Sequence, residues 1–310
     1  MTNQHPFRFG LSLLGFDHGH DWPETARRIE DLGFATLLVP DHFGDQLAPF
    51  PSLMAAAAAT RTLRVGTYLC AVDFRHPAML AKEAATVDLL SGGRFELGLG
   101  AGWKKAEYDE TGLSFASGPT RRARLEEAVT IVRGLWSGAP FSFKGDHYAI
   151  DDLVGRPLPF DGLNPPILIG GAGPAMLALA ARVADIISIA PRTSDAGTRD
   201  DSDITESSLV SKLAIVHEAA GPRHDQLELN ALVLAVRITD DRDGAALELG
   251  RRYGLAPAEV LTSPHLLVGS IDQVVDSLVE RRERFGLSYV TVAEPALGDL
   301  GPIVARLAGT

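Results

Sequence analysis

Five short segments hold residues whose types and spacing can do chemistry. The clearest is Gly170-Gly171-Ala172-Gly173-Pro174. Glycines let backbone amides turn toward a ligand, proline suits the first turn of a helix, and a helix N-terminus attracts an anion. Phosphate binding is expected there, ahead of the plainer reading of a tight turn that merely needs glycine. A second run, Gly98-Leu99-Gly100-Ala101-Gly102-Trp103, allows close backbone approach at Gly100 and Gly102. Its Trp103 either packs or walls a planar cofactor. Glu107, four residues on, is either a solvated helix charge or a polar group of the same pocket. Asp41-His42-Phe43 supplies an imidazole able to move a proton near neutral pH. The alternative for His42 is a bond to a neighbouring loop.

Two further segments weigh less. Tyr68-Leu69-Cys70 is apolar, and Cys70 has no basic neighbour in sequence to make it a thiolate. His18-Gly19-His20 has the spacing that opens a metal site in barrel hydrolases. Such a site needs more histidines after the fifth and sixth strands and an aspartate after the eighth. Those ends read Gly170-Gly171, Ala190-Pro191 and Glu294-Pro295. No metal is expected, and His18 and His20 are assigned to a loop near the substrate entrance.

The elements that must position these groups alternate. Short apolar strands are predicted at Phe7–Leu13, Ala35–Val39, Leu63–Leu69, Arg94–Leu99, Ile167–Ile169, Asp185–Ile189, Leu227–Ile238 and Ser288–Val292. Helical patterns lie between them, among them Trp22–Leu32 behind Asp21, Pro77–Leu90, Arg121–Trp136 and Ile271–Phe285. Eight strands alternating with helices predict an α/β fold, a single (β/α)₈ TIM barrel over residues 1–310. An open doubly wound sheet is the weaker fit, because Gly10-Leu11-Ser12-Leu13-Leu14-Gly15 lacks the dinucleotide spacing. The rhythm breaks between strands four and five. There a Pro-, Gly- and Asp-rich insertion at about 138–166 contains a predicted hairpin turning at Lys144-Gly145-Asp146. In such a barrel every segment singled out above falls at the C-terminal end of a strand, where active sites are built.

Bulk properties narrow the function. The 310 residues are 45% hydrophobic, and 29 Lys+Arg against 40 Asp+Glu give a net charge of −11. With no basic cluster, neither nucleic acid nor an anionic membrane is an expected partner. A lone cysteine excludes an internal disulfide and suits a reducing cytoplasm. The first nine residues lack a signal-peptide pattern, and no apolar run reaches membrane-spanning length.

With these residues in hand, the chain resembles the bacterial luciferase-like superfamily over nearly its whole length. It is most similar to the branch that uses the deazaflavin coenzyme F420. The resemblance is carried by Leu80-Ala81-Lys82-Glu83-Ala84-Ala85-Thr86-Val87-Asp88-Leu89-Leu90-Ser91-Gly92-Gly93-Arg94-Phe95, by Gly98 to Trp103, by Pro166 to Gly173 and by Leu267-Val268-Gly269-Ser270. It implies that His42 contacts the deazaflavin ring, with Asp41 beside it. It implies a bulge at Tyr68, Leu69 and Cys70 behind the ring, with a cis peptide at Tyr68-Leu69 or Leu69-Cys70. It implies that Gly170, Gly171, Ala172 and Gly173 hold the cofactor phosphate, and that the chain forms a homodimer. The sugar-phosphate dehydrogenase branch carries a carboxylate where this chain has Trp103, and Thr and Lys where it has Ala190 and Thr193. A sugar phosphate is therefore not the expected substrate.

These readings converge on an oxidoreductase that passes a hydride between bound deazaflavin and a small organic substrate. His42 is the expected polar group at the ring, with Trp103 and Glu107 as further catalytic candidates. The alternatives are a monooxygenase using FMN and O₂, and a non-catalytic flavin-binding relative.

Overall fold

The computed structural model describes residues 5–15 and 21–310, apart from the side chain of Pro295. His18 and His20 lie outside the described residues. Strand β1 (Arg8–Ser12) leads to α1 (Trp22–Asp31), β2 (Thr36–Val39), α2 (Pro49–Ala59), β3 (Arg64–Thr67), the short β4 (Cys70–Ala71), α3 (Pro77–Ser91) and β5 (Phe95–Gly100). Next come α4 (Lys105–Thr111), α5 (Gly118–Trp136), β6 (Pro140–Lys144), β7 (Ala149–Val154), β8 (Ile167–Gly171), α6 (Pro174–Val183), β9 (Ile186–Ile189), α7 (Glu206–Ala220) and β10 (Glu228–Leu232). The chain ends with β11 (Ala235–Ile238), α8 (Arg242–Tyr253), α9 (Pro257–Thr262), β12 (Leu266–Gly269), α10 (Ile271–Phe285), β13 (Leu287–Ala293) and α11 (Leu297–Leu307).

Local sequence explains the boundaries. The Asp21 carboxylate accepts the Glu24 amide at 3.0 Å and starts α1. Ser270 and Gln273 form a reciprocal capping box at α10, which stops at Gly286 in the left-handed conformation. The strands pair in parallel in the order β1, β2, β3, β5, β8, β9, β10, β13 and back to β1, so the sheet closes into an eight-stranded barrel. The hairpin β6–β7 stands outside it, between the fourth and fifth barrel strands. Its turn is held to α5 by Glu127, which accepts the amides of Asp146, His147 and Tyr148 at 2.8–3.1 Å.

Two expectations about strands change. The seventh, predicted as one run over Leu227–Ile238, is two strands. Its first half is β10 in the barrel, and its second half, β11, leaves to pair with β12. Periodicity sees only apolar residues and cannot tell which sheet they join. The third strand is interrupted by a cis peptide between Tyr68 and Leu69, after which β4 pairs with β5 alone.

The barrel interior is layered. At its N-terminal end Arg8 of β1 reaches across to Glu96 of β5 at 2.5 Å and Glu228 of β10 at 2.6 Å, and Arg64 joins Glu96 at 2.7 Å. Burial pushes the Glu96 carboxyl up, but Arg8 and Arg64 outweigh it and hold it below the ordinary carboxylate range. Above lies an apolar layer of Leu38, Leu168, Ile186 and Tyr289, packed against Tyr68 and Leu69. The larger apolar core fills the space between barrel and helices.

Candidate active site at the barrel mouth

The polar groups of the mouth come from different strand ends. His42 follows β2, and Glu107 lies in the first turn of α4, after β5. His42 Nδ1 and Glu107 Oε2 meet at 2.8 Å. The Glu107 side chain is only 3% exposed, and its other oxygen accepts from Lys104 Nζ at 3.0 Å. Burial alone would raise its pKa, but the bonds from His42 and Lys104 prevail and keep it low. Glu107 is thus a buried carboxylate and not a solvated helix charge. Trp103 stands edge-on to the His42 ring, with centroids 5.7 Å apart. The three expected catalytic residues are therefore brought into one contact cluster.

Asp41 is buried, and its carboxylate accepts from Arg75 Nη1 at 2.5 Å. This pair anchors the backbone that carries His42. Cys70 does not line the mouth with its side chain. It is 1% exposed within the core between barrel and helices, where burial and the nearby Asp41 push its thiol pKa well up. The expectation of Cys70 as a cofactor contact is thereby limited to its backbone.

The glycines divide into two kinds. A Cβ on Gly170 would lie 2.4 Å from the Leu69 side chain, one on Gly171 2.6 Å from Met176, and one on Gly102 1.8 Å from the Tyr108 hydroxyl. A Cβ on Gly100 would meet Leu69 at 3.4 Å. Close packing alone accounts for glycine at Gly170 and Gly171, and packing together with a left-handed φ of 76° accounts for it at Gly102. Gly173 differs, because a Cβ there would meet nothing within 4 Å. It is the N-cap of α6 and places no side chain on that terminus. The register Leu99↔Ile169 sets Gly100 beside Gly170, so the two glycine-rich strand ends adjoin one open helix N-terminus. Gly100, Gly102, Gly170, Gly171, Ala172 and Gly173 are all partly open to solvent.

Below the mouth lies a network that the sequence reading did not single out. The Tyr68 hydroxyl donates to Ser188 Oγ at 2.6 Å and lies 3.1 Å from Asn230 Oδ1. Ser188 also donates to Asn230 Oδ1, at 2.7 Å, and Asn230 Nδ2 donates to Thr291 Oγ1 at 2.7 Å. Burial pushes the Tyr68 pKa up to about 12, so the phenol stays a neutral donor. The available signal was a small polar residue, Ser188, Asn230 or Thr291, flanked on both sides by apolar residues within each of three strands, Ile186–Ile189, Glu228–Leu232 and Leu287–Ala293.

Residues 6–204 match the family model described as luciferase-like monooxygenase. The chain is 33% identical over 189 residues to an F420-dependent glucose-6-phosphate dehydrogenase of Nakamurella multipartita, covering 58% of this chain and 55% of that one. It is 30% identical over 228 residues to an F420-dependent hydroxymycolic acid dehydrogenase of Mycobacterium tuberculosis, covering 71% and 59%. The chain thus spans about half the length of the curated relatives it matches. Its fold is similar to that of the coenzyme F420 dependent tetrahydromethanopterin reductase from Methanopyrus kandleri, with a TM-score of 0.76, 21% identity, and coverage of 98% and 99%. The match over residues 6–204, carried by a closed barrel with its glycine-rich strand ends at one mouth, places the chain in the luciferase-like monooxygenase family.

Proposed function

We propose that the chain is an oxidoreductase that binds the deazaflavin coenzyme F420 at the barrel mouth and exchanges a hydride with a small organic substrate. The observation that carries this reading is the His42–Glu107 dyad, set on the same face as an open helix N-terminus. The F420 dependence named for two relatives supports the choice of cofactor.

The residues fit such a group. Gly173 and the start of α6 offer amides and an uncapped helix end to a phosphate. Tyr68 and Leu69 form an amphipathic floor above the apolar layer, suited to a planar ring. When bound, the deazaflavin supplies the two-electron chemistry.

The chain's own residues handle the proton. Glu107 stays ionised and holds His42 through Nδ1, which leaves Nε2 as the atom that exchanges a proton with the substrate. Trp103 packs against the imidazole at right angles and limits its rotation. A hydride and a proton leave together most simply from a carbon bearing a hydroxyl group, which becomes a carbonyl. The dyad therefore fits an alcohol–carbonyl pair.

Titrating purified protein with the deazaflavin and with FMN tests the proposal. Saturable deazaflavin binding is expected. Tight FMN binding with oxygen consumption, and no deazaflavin binding, would instead indicate a flavin monooxygenase.

A further inference from the structure

An open cleft of about 620 Å³ lies beside Trp103. It is lined by Trp103, Ala106, Ala196 and Gly197, and by the charged residues Lys104, Lys105, Asp109 and Asp195. Trp103 joins this cleft to the mouth. Its indole is perpendicular to the His42 ring, with centroids 5.7 Å apart, and a Cβ on Gly197 would stand 3.4 Å from its Cζ3. The rim of the mouth is apolar as well. Leu14 is 57% exposed, Phe43 56% and Trp103 42%, each after a different barrel strand. Large apolar side chains left open around a polar centre mark a surface meant to be covered.

The charges nearby are already matched. Lys104 pairs with Glu107, Lys105 with Asp109, Arg121 with Asp195, Arg75 with Asp41, and Arg192 with Asp200. Lys212, buried behind the loop after β9, pairs with Asp203 at 2.8 Å. A substrate phosphate or carboxylate in this cleft would have to compete with the carboxylate already held by each of these cations. An uncharged chain would displace none of them and would remove the indole and the two alanines from water.

We infer that the cleft beside Trp103 is the subsite for an uncharged apolar arm of the substrate, so that this chain acts on an alkyl-bearing alcohol or carbonyl compound and not on a sugar phosphate. The inference rests on the proposed redox reading for the reacting group, while the cleft itself is a property of these side chains. The hydroxyl carbon lies toward His42 and the arm runs past Trp103 to Ala106 and Ala196. In the reaction the C–H electron pair leaves with its hydrogen to the deazaflavin. The hydroxyl proton passes to His42 Nε2, and the C–O bond becomes a carbonyl.

Calorimetric titration of the full chain with 2-alkanones of increasing length tests the inference without turnover. Kd is expected to fall about three- to fourfold per added methylene until the cleft is full. Filling the cleft by Ala106→Phe or Ala196→Phe, both on exposed positions, should flatten that dependence and leave deazaflavin affinity unchanged. Glucose 6-phosphate should not bind. Affinity independent of chain length, a slope that survives both substitutions, or saturable glucose 6-phosphate binding would each overturn the inference. Failure to bind deazaflavin would overturn the redox proposal alone, because the alkanone series is read in its absence.

Discussion

His42 and Glu107 stand 65 positions apart in sequence and meet at 2.8 Å across the mouth of the barrel. The carboxylate is buried and has two cationic or donor partners, so its charge is retained. It is a positioning residue acting through the imidazole. Glu107→Gln keeps the shape and a weaker bond to His42. Turnover is expected to fall about tenfold to a hundredfold with little change in deazaflavin affinity, and the pH–rate profile is expected to move. His42→Ala should cost more, on the order of 10²–10⁴ in kcat, the range of a lost general acid or base. Equal, pH-independent losses in both variants would show that Glu107 acts only structurally.

Gly173 allows cofactor anchoring and stability to be separated. It is extended at the N-cap of α6, with open space where a Cβ would go. Gly173→Asp should supply the missing cap and hold or slightly raise the denaturation midpoint, by a few tenths of a kcal/mol. The same carboxylate would repel a phosphate, so deazaflavin affinity should fall by at least about tenfold. Unchanged affinity would move the phosphate elsewhere.

Gly98 shows what closure of the barrel requires. A Cβ there would lie 1.9 Å from the carbonyl oxygen of Thr67, where β3 meets β5. The Thr67 side chain also bonds both backbone groups of Gly98, at 2.7 and 2.9 Å. Gly98→Ala is expected to destabilise the protein by at least about 3 kcal/mol in denaturant titrations, as overpacking with backbone displacement does. A midpoint like that of the parent would show that the two strands can part without cost.

His265 predicts a pH dependence of stability. It is 1% exposed and bonds Leu232 O through Nδ1 at 2.7 Å. Burial lowers its pKa from 6.5 to about 4, so the folded protein holds it neutral while the unfolded chain protonates it. The stabilisation is complete above pH 6.5 and is lost as pH falls toward about 4. The amount at stake is about 3 kcal/mol as an upper bound, from the shift between the two values. Urea titrations between pH 7.5 and 4.5 should show the decline, and His265→Gln should reduce its slope.

Much of this protein could be read from its residues in order. Alternating apolar strands and amphipathic helices determine a parallel barrel, because each short strand must be buried on both faces. Capping at Asp21 and Ser270 and the glycines after α3 and α10 are local chemistry, legible without a fold. The glycine-rich strand ends and His42 were legible for the same reason, since their chemistry belongs to a few adjacent residues. What only the tertiary structure decided is which distant groups face each other. Glu107 became a buried partner of His42, Cys70 turned away from the mouth, and the run from Leu227 to Ile238 split between two sheets. The Tyr68–Ser188–Asn230–Thr291 network joins side chains from different strands at one height in the barrel. Such pairings follow from register and closure, which depend on contacts across the whole chain and leave no mark in any local stretch of it.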